Sequence, residues 1–404
     1  MTQRTDASER AGARAEPSAR ATAGAAPVHG DAAGPGRRDG EGRAASAAPA
    51  STAPSGAART TAAPATPRTR GIRTAGWALL LGVALVASVV VAVTIGPADL
   101  SPADVGASIL AHLGIGDPTL SPLRDGIVWE LRMPRVLTAA AVGAGLALCG
   151  AVMQALTRNP LADPYLLGLS SGASVGAVIV IVLGVGLLLP VAAFAGALLA
   201  LVATLGLASA AGTLTPTRTV LAGLAVSSVF GAITSLVIFW SATGDSYREI
   251  LNWLLGSLAG TDWTSVAIAG IAVVVIGLPL IASARTLDAF AFGDTAAAAL
   301  GVHVGRSRAL LLAGTALLTG ALVAVSGSIG FVGLILPHAV RLLVGSRHRA
   351  LLPLSALAGA LFLVWADTGA RTLFDPRELP VGILTALIGG PVFALIMLRN
   401  RRIS

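Results

Sequence analysis

Ten long apolar runs, separated by short polar segments, constrain this chain more than any other feature of its sequence. Each run is near the roughly 20 residues that cross the hydrocarbon core of a bilayer as a helix. Only 12% of the residues are charged and the mean hydropathy is +0.80, whereas soluble domains carry about twice that charged fraction. The pattern predicts an all-α, polytopic membrane protein with ten transmembrane helices. The runs are 77–96, 136–157, 165–189, 191–211, 219–240, 264–284, 309–326, 330–345, 351–370 and 381–398.

The segment before the first run has a different composition. Residues 1–76 contain no Leu, Phe, Tyr or Trp and carry 11 Arg against 6 acidic residues. Such a segment has too few apolar side chains to offset the conformational entropy lost on ordering. We therefore predict a disordered cytoplasmic N-terminal tail over 1–76 and a ten-helix transmembrane domain over 77–402.

Arginine is unevenly distributed between the two sets of loops that ten crossings create. With the N-terminus inside, the inner loops and C-terminal segment hold 11 Arg against 3 acidic residues, and the outer segments hold 6 Arg against 10. Cytoplasmic loops of membrane proteins carry such an excess of basic residues, so both termini are predicted to lie in the cytoplasm. This distribution accounts for the net charge of +8. Because no base-stacking aromatics alternate with the basic residues, nucleic acid is excluded as a partner.

Several residue types that nucleotide binding, metal binding or catalysis would require are absent from the sequence or far apart in it. The sequence has no Lys, so it lacks the lysine with which a phosphate-binding loop reaches the β- and γ-phosphates of ATP. Its one cysteine, Cys149, excludes an internal disulfide and a cysteine-cluster metal site. The five His are far apart in the sequence and form no catalytic or metal-ligand pattern. We predict a chain that is not an enzyme, with no catalytic residues, no metal and no cofactor.

Two polar segments are longer than a connection needs. The outer segment 97–135 ends in Leu-Arg-Met-Pro-Arg, and the inner segment 285–308 has an Ala-rich centre that favours helix. Asp294 is placed to cap the N-terminus of that short helix and Gly301 to end it. From the residues alone, this helix is equally a docking element for a soluble partner or an ordinary surface helix.

Several motifs, in order along the chain, resemble the iron-siderophore/cobalamin permeases of ABC importers, the FecCD/BtuC type. The resemblance spans roughly residues 77–402, and only the N-terminal tail lies outside it. The matching segments are Leu-Arg-Met-Pro-Arg at 131–135, Gly-Ala-Gly-Leu-Ala-Leu at 143–148, Gly-Ala-Val-Met-Gln-Ala-Leu at 150–156, Asn-Pro-Leu-Ala-Asp-Pro at 159–164, Leu-Gly-Leu-Ser-Ser-Gly-Ala at 167–173, Trp-Leu-Leu-Gly-Ser-Leu at 253–258, Gly-Phe-Val-Gly-Leu-Ile-Leu-Pro-His at 330–338 and Glu-Leu-Pro-Val-Gly-Ile-Leu-Thr-Ala at 378–386.

The resemblance implies a type II ABC importer permease architecture in the plasma membrane, the inner membrane where a cell has two. It implies two cytoplasmic ATP-binding subunits that hydrolyse ATP, an extracytoplasmic substrate-binding protein, and a second permease subunit that is either identical or different. The cargo it implies is a ferric siderophore, with haem and cobalamin as alternatives, because permeases for all three share these motifs.

The resemblance also implies roles for particular residues. Arg132, Arg135 and Arg371 match outward-facing arginines that pair with carboxylates of the binding protein. The positions that match the coupling helix, which fits a cleft in the ATP-binding subunit, are Gly293, Asp294, Ala297, Leu300 and Gly301.

One carboxylate, Asp367, lies inside a predicted span, where an ionisable group is a functional candidate. Arg371 follows it at i,i+4 spacing, so a structural ion pair between the two is predicted, and this pairing competes with docking as the role of Arg371. A secondary transporter driven by an ion gradient is the alternative function. Such a transporter usually needs several membrane-embedded acids or histidines, whereas the predicted spans hold Asp367 and a lone His338.

Overall fold

The computed structural model describes residues 67–115, 120–241, 243–374 and 376–400. Within these ranges the ordered elements are all helices, and no residue lies in a β-strand. The predicted disordered tail lies outside the described residues as far as residue 66.

Sixteen α-helices make up the described part of the chain. They are α1 (Pro67–Thr94), α2 (Pro102–His112), α3 (Pro122–Gly126), α4 (Met133–Thr157), α5 (Leu169–Val182), α6 (Leu189–Ala210), α7 (Pro216–Ser241), α8 (Gly244–Leu254), α9 (Trp263–Ala272), α10 (Leu278–Ala282), α11 (Ala284–Phe290), α12 (Asp294–Ala299), α13 (Val304–Ser326), α14 (Val332–Val344), α15 (His348–Thr372) and α16 (Val381–Asn400). Turns of π-helix at Ile127–Arg132 and Val273–Gly277 continue α3 into α4 and α9 into α10, and 3₁₀ turns at Pro164–Leu167 and Gly186–Leu188 precede α5 and α6.

Seven helical segments are long and apolar enough to cross a membrane. Three shorter apolar helices, α5, α14 and the start of α16, bring the number in the described ranges to ten. Each of the ten coincides with one of the apolar runs in the sequence. The prediction of an all-α polytopic membrane fold is confirmed, and the predicted count of ten helices is compatible with these seven long and three shorter apolar helices.

Two boundaries differ from the sequence prediction. Helix α1 begins at Pro67, within the range assigned to the tail, rather than at residue 77. The run predicted as 165–189 forms a helix of only 14 residues, α5, because 3₁₀ turns take up the chain before and after it. Composition does not reveal such turns, since their residues are as apolar as those of the helix.

Helix α4 is the centre of the bundle. In the most apolar 18-residue stretch of the span that contains α4, 78% is buried, compared with 17% in the span that contains α1. Helix α4 is therefore surrounded by protein, whereas α1 is peripheral. Two glycines allow neighbouring helices to approach it closely: a Cβ at Gly143 would overlap the carbonyl of Gly359, and one at Gly150 would overlap that of Gly333. Small residues at helix contacts are the usual means of tight packing in membranes.

The bundle has two ends, which we name by their residues. The arginine end comprises the C-termini of α1 and α15 and the N-termini of α4 and α16, joined by hydrogen bonds of Arg132 and Arg135. The α12 end comprises α11, α12 and the N-termini of α13 and α15, joined by Asp294 and Asp288. Helix α4 runs between the ends, and its 25 residues span about 37 Å at 1.5 Å per residue.

Candidate functional site

Arg135 is the most highly bonded side chain of the arginine end. Its Nε donates to both carboxylate oxygens of Asp367, at 2.9 and 3.1 Å, and its Nη2 donates to Oδ1 of Asp367 at 3.0 Å. Its Nη1 donates to Oε2 of Glu378 at 2.7 Å. The exposed fractions of the three side chains are 1% for Asp367, 12% for Arg135 and 51% for Glu378. Arg135 therefore joins a fully buried carboxylate on α15 to a half-exposed one before α16.

The predicted ion pair between Asp367 and Arg371 is corrected by this arrangement. Asp367 faces α4 and is held by Arg135, whereas Arg371, one turn further along α15, donates from Nη2 to the carbonyl of Ala92 and to Oγ1 of Thr368. Local i,i+4 spacing shows which residues can meet on one helix. It does not show that a guanidinium from another helix occupies the buried side of the carboxylate.

Arg132 is buried against the C-terminus of α1. Its Nη1 donates to the carbonyls of Val93 and Thr94 at 2.8 and 3.1 Å, and its Nη2 to that of Ala98 at 3.4 Å. The last carbonyls of a helix lack intrahelical partners and carry partial negative charge, which a guanidinium satisfies. Gly96, with φ 144°, makes room, because a Cβ there would lie 2.6 Å from Nη2 of Arg132. Arg132 is thus a structural clamp on α1.

The three predicted arginines meet around one cavity. It has a volume of about 460 Å³, and Arg132, Arg135, Arg371 and Glu378 lie in its wall. The predicted residues are therefore brought together, but as the lining of a recess rather than as extended surface side chains. Three guanidinium groups face two carboxylates, Asp367 and Glu378, which leaves an excess of one positive charge. Nε of Arg371 is buried without a hydrogen-bond partner in the described part of the chain.

At the α12 end the central contact is between Asp294 and Arg308. Nη2 of Arg308 donates to Oδ1 of Asp294 at 2.7 Å, and Nη1 donates to Oδ2 at 3.0 Å. Nη1 also donates to the carbonyl of Leu214 at 3.1 Å, and the guanidinium lies over the Phe290 ring, 5.2 Å from its centroid. Arg308 is 5% exposed and Asp294 is 40% exposed. The hydrogen bond from Arg308 lowers the pKa of the Asp294 carboxyl below its usual value.

This contact corrects the predicted capping role of Asp294. The residue preceding α12 is Gly293, and Asp294 is the first residue of the helix; its side chain turns to α13 instead of capping the backbone. Gly293 has φ 94°, and a Cβ there would lie 3.2 Å from Nη1 of Arg158, the residue that ends α4. Helix α12 is therefore attached to α13 by an ion pair, and Gly293, which precedes α12, lies beside the side chain of Arg158.

The five residues predicted for the coupling helix divide into two groups. Gly293 and Ala297 are buried and Asp294 is held by Arg308, whereas Leu300 and Gly301 are exposed. Phe292 precedes the helix, is 78% exposed and is not among the residues predicted from the sequence. The sequence signal that could have identified Phe292 is an aromatic residue next to a polar, Ala-rich helix in a loop. Phe292 and Leu300 are the large apolar side chains that this segment exposes.

Two further polar contacts at the α12 end were missed from the sequence. Oδ1 of Asp288 accepts from the backbone N–H of His348 at 3.0 Å and lies 2.7 Å from Nδ1 of its ring, which joins α11 to α15. Gln154 on α4 donates to the carbonyls of Gly333 and Leu334, and its Oε1 accepts from Arg341 at 3.1 Å. Neither pair is close in sequence. Among the described residues, no group of three His, Cys, Asp or Glu side chains is arranged to hold a metal ion.

Known proteins similar to this chain are membrane transport subunits. The model of the FecCD transport family matches residues 84–399. The uncharacterised ABC transporter permease protein YvrB of Bacillus subtilis is 45% identical over 300 residues, covering 72% of this chain and 84% of the relative. The cobalamin import system permease protein BtuC of Halobacterium salinarum is 46% identical over 322 residues, covering 74% and 86%.

A further relative and one solved structure extend this comparison. The vitamin B12 import system permease protein BtuC of Citrobacter koseri is 42% identical over 279 residues, covering 68% of this chain and 84% of the relative. A solved chain described as the inward-facing conformation of a metal-chelate type ABC transporter superposes with a TM-score of 0.70 at 34% identity. That superposition covers 80% of this chain and 98% of the solved chain.

Proposed function

The chain belongs to the FecCD transport family, and from this premise we propose how the two ends of the bundle serve an ABC importer. The protein is a multi-pass membrane permease of the metal-chelate and cobalamin class of ABC importers. The observation that carries the proposal is the presence of a charged, internally anchored cluster at each end of the central helix α4. One cluster would receive a substrate-binding protein and the other an ATP-binding subunit.

The arginine end suits a partner that presents carboxylates. Arg371 uses Nη2 in its hydrogen bonds to Ala92 and Thr368 and its Nε is buried, so Nη1 is the group that remains to donate to a partner. A guanidinium can hold a carboxylate through two parallel hydrogen bonds, which provides geometry as well as charge. The one excess positive charge of the cavity favours an anionic group. A carboxylate side chain of an extracytoplasmic binding protein would enter this cavity and reach Arg371 first.

The α12 end suits a soluble partner with an apolar cleft. Phe292 and Leu300 are exposed, and neither lies on a transmembrane helix. Arg308 joins α12 to α13, and Gly293 packs against Arg158 at the end of α4. A movement of α12 would therefore displace α13 and shift the contact with Arg158, which follows α4, and α4 extends to Arg135 at the other end. Closure of two ATP-binding subunits would be transmitted to the transport path through these contacts.

The membrane orientation follows from the same assignment. The α12 end lies in the cytoplasm with both termini, and the arginine end lies outside the plasma membrane. The excess of Arg in the loops of the α12 end supports this orientation. A second permease subunit, identical or related, completes the translocation path. Residues 1–76 remain a predicted cytoplasmic tail, apart from the start of α1 at Pro67.

For the cargo, cobalamin is the leading candidate. Two relatives whose names specify a cargo import cobalamin, and both are more than 40% identical to this chain. The ferric siderophore expected from the sequence is the second candidate, because cobalamin and ferric siderophores are both large metal chelates and the superposed solved chain is of the metal-chelate type. Haem is the third.

Uptake measurements test the function and the cargo together. Cells that lack this chain are given radiolabelled cobalamin, a ferric siderophore or haem, and the intact gene is then restored. We expect loss and recovery of cobalamin uptake, abolished by ATP depletion and resistant to collapse of the proton gradient. Loss of ferric-siderophore uptake alone would replace the cargo and keep the importer. Uptake that follows the proton gradient and survives ATP depletion would identify a secondary transporter and overturn the proposal.

The contact with the ATP-binding subunit has its own test. The double variant Phe292→Ser and Leu300→Ser should fold normally and lose co-purification with the ATP-binding subunit, because both side chains are exposed in the isolated chain. Leu187→Ser is the matched control, since Leu187 is 92% exposed and lies in the turn between α5 and α6, away from α12. Unchanged co-purification in the double variant would contradict the assignment of this surface.

A further inference from the structure

A groove on the outside of the bundle lies between α9–α10 and α13. It has a volume of about 350 Å³ and forms where the regular helix is interrupted by the π-turn Val273–Gly277 and by Pro279. On the opposite wall Gly314 contributes no side chain, and a Cβ there would lie 3.3 Å from Cδ2 of Leu280. Val275 and Leu310 line the groove and are strongly exposed. The groove therefore faces the hydrocarbon that surrounds the protein.

The lining changes from apolar to hydroxyl-bearing along both walls in the same direction. On one wall Val275 and Pro279 are followed by Ser283 and Thr286, and α11 carries the chain into the α12 end. On the other wall Gly314 and Leu310 lead back to Ser307, near the start of α13. The hydroxyl groups thus lie where α10 and α13 meet the α12 end. A groove with this gradient matches a molecule with a hydrocarbon chain and a polar head.

The charge beside the polar end of the groove is positive and unpaired. Arg285 lies between the lining residues Ser283 and Thr286, and Arg306 directly precedes Ser307. Both arginines are exposed, and neither has a hydrogen-bond or ion-pair partner in the described part of the chain. The nearby acids do not pair with them: Asp288 accepts from His348 and Asp294 from Arg308, and neither carboxylate lies within ion-pair distance of Arg285 or Arg306 in the described ranges.

We propose that this groove, with Arg285 and Arg306, binds one anionic phospholipid. An acyl chain lies along Val275 and Leu310, and the phosphate and headgroup lie among Ser283, Thr286 and Ser307 within reach of the two guanidinium groups. Basic recesses between transmembrane helices are suited to anionic headgroups. Because the groove ends beside Arg308, which holds Asp294, the bound lipid would also brace the attachment of α12. The site does not depend on which side of the membrane the α12 end faces, since both leaflets supply headgroups.

The test is lipid retention by the purified protein. The full chain is delipidated in detergent and titrated with phosphatidylglycerol or with phosphatidylcholine, and bound lipid is counted from the mass of the intact complex. We expect one tightly held phosphatidylglycerol and weaker binding of phosphatidylcholine. The double variant Arg285→Gln and Arg306→Gln should bind phosphatidylglycerol about 30-fold more weakly, at about 1 kcal/mol for each arginine near the headgroup.

Matched variants separate this site from general charge effects. Arg347→Gln with Arg349→Gln removes two exposed arginines from the same end but from the loop and helix α15 outside the groove, and should bind lipid as the unaltered chain does. Gly314→Leu fills the groove and should weaken binding of both lipids. Arg285→Lys with Arg306→Lys keeps the charge and should keep the preference, which gives a readout if the Gln variant does not fold. Equal weakening by the two Gln pairs, or tight binding in Gly314→Leu, would overturn the proposal.

Discussion

Each end of the bundle is held by an ion pair with one buried partner, and the buried charge is negative at one end and positive at the other. At the arginine end a buried carboxylate, Asp367, holds a more exposed guanidinium, Arg135. At the α12 end a buried guanidinium, Arg308, holds a more exposed carboxylate, Asp294. In each case the more buried partner lies on a long apolar helix, α15 or α13, and the less buried partner lies nearer to solvent.

The difference shows what each end can offer to a partner. The arginine end retains positive charge in a recess, because two carboxylates only partly neutralise three guanidinium groups. At the α12 end the central pair, Asp294 and Arg308, is neutral as a unit, and the segment beside it offers the apolar side chains Phe292 and Leu300. In both, the cost of burying one ion is offset by a partner with several hydrogen bonds, and a buried ion that loses its partner is strongly destabilising. Removing the more exposed partner should therefore do more damage than removing the buried one.

The largest effect is expected from Arg135→Met. It leaves Asp367 unpaired at 1% exposure, which should cost about 3–5 kcal/mol of unfolding free energy. Asp367→Leu should cost less, because Arg135 keeps Glu378 and is nearer to solvent. The measurement is the unfolding midpoint of the purified protein in detergent.

The double variant Arg135→Met and Asp367→Leu completes this comparison. Replacing a buried ion pair by apolar side chains of similar volume is often neutral, so the double variant should be more stable than Arg135→Met alone. A double variant that is less stable than Arg135→Met would show that the packing of Arg135, not its pairing, holds α4 to α15.

A smaller and more local effect is expected from Asp294→Ala. It leaves Arg308 buried with only the carbonyl of Leu214 as an acceptor, and hydrogen bonds to charged groups contribute about 1.5–3 kcal/mol. Hydrogen exchange of residues 291–303 should accelerate more in Asp294→Ala than in Arg308→Met, whose exposed Asp294 regains water. If exchange accelerated more in Arg308→Met than in Asp294→Ala, loss of the more exposed partner would not be the more damaging change at the α12 end.

A still smaller effect on stability is expected from Glu378→Gln. Glu378 is half exposed and accepts one hydrogen bond from Arg135, and exposed ion pairs contribute about 0–1 kcal/mol. The substitution raises the positive charge of the cavity by one. If the arginine end receives carboxylates of a binding protein, affinity for that protein should rise several-fold at low salt, with a steeper salt dependence.

Glu130→Gln is the matched control for that prediction. Glu130 is exposed at the same end and has no ion-pair partner within the described ranges, so its substitution changes the same charge without freeing Arg135. Equal gains in affinity for the two variants would indicate long-range charge alone. A loss of affinity in Glu378→Gln would indicate that Glu378 positions Arg135 for docking.

The smallest effect is expected from pH. The pKa of Asp294 lies below its usual value because Arg308 donates to its carboxylate, so the charged form is favoured in the folded state. The stabilisation is present above the unfolded pKa of about 3.9 and is lost as pH falls through the lower folded value. Hydrogen exchange of residues 291–303, corrected for the intrinsic rate, should be unchanged from pH 8 to pH 5. Loosening within that range would contradict the pairing.

The apolar membrane helices and the family could be predicted from the sequence alone. Apolar runs of bilayer length must form helices in a membrane, because hydrocarbon offers the backbone no other hydrogen-bond partners. The sequence also placed Arg132, Arg135 and Arg371 in one region. These inferences depend on composition, local periodicity and motif order, which a linear chain displays directly.

The pairing of the charged side chains, in contrast, depends on how distant helices pack and could not be predicted from the sequence. The partner of Asp367 is 232 residues away, on α4, and not the arginine one turn along its own helix. Arg132 donates hydrogen bonds to the C-terminal carbonyls of α1. Asp294 pairs with Arg308 on α13 and does not cap α12, and Phe292 exposes an apolar side chain. A buried ion is satisfied by whichever opposite charge the packing of distant helices brings within hydrogen-bond distance, and neither spacing nor propensity along the chain encodes that distance.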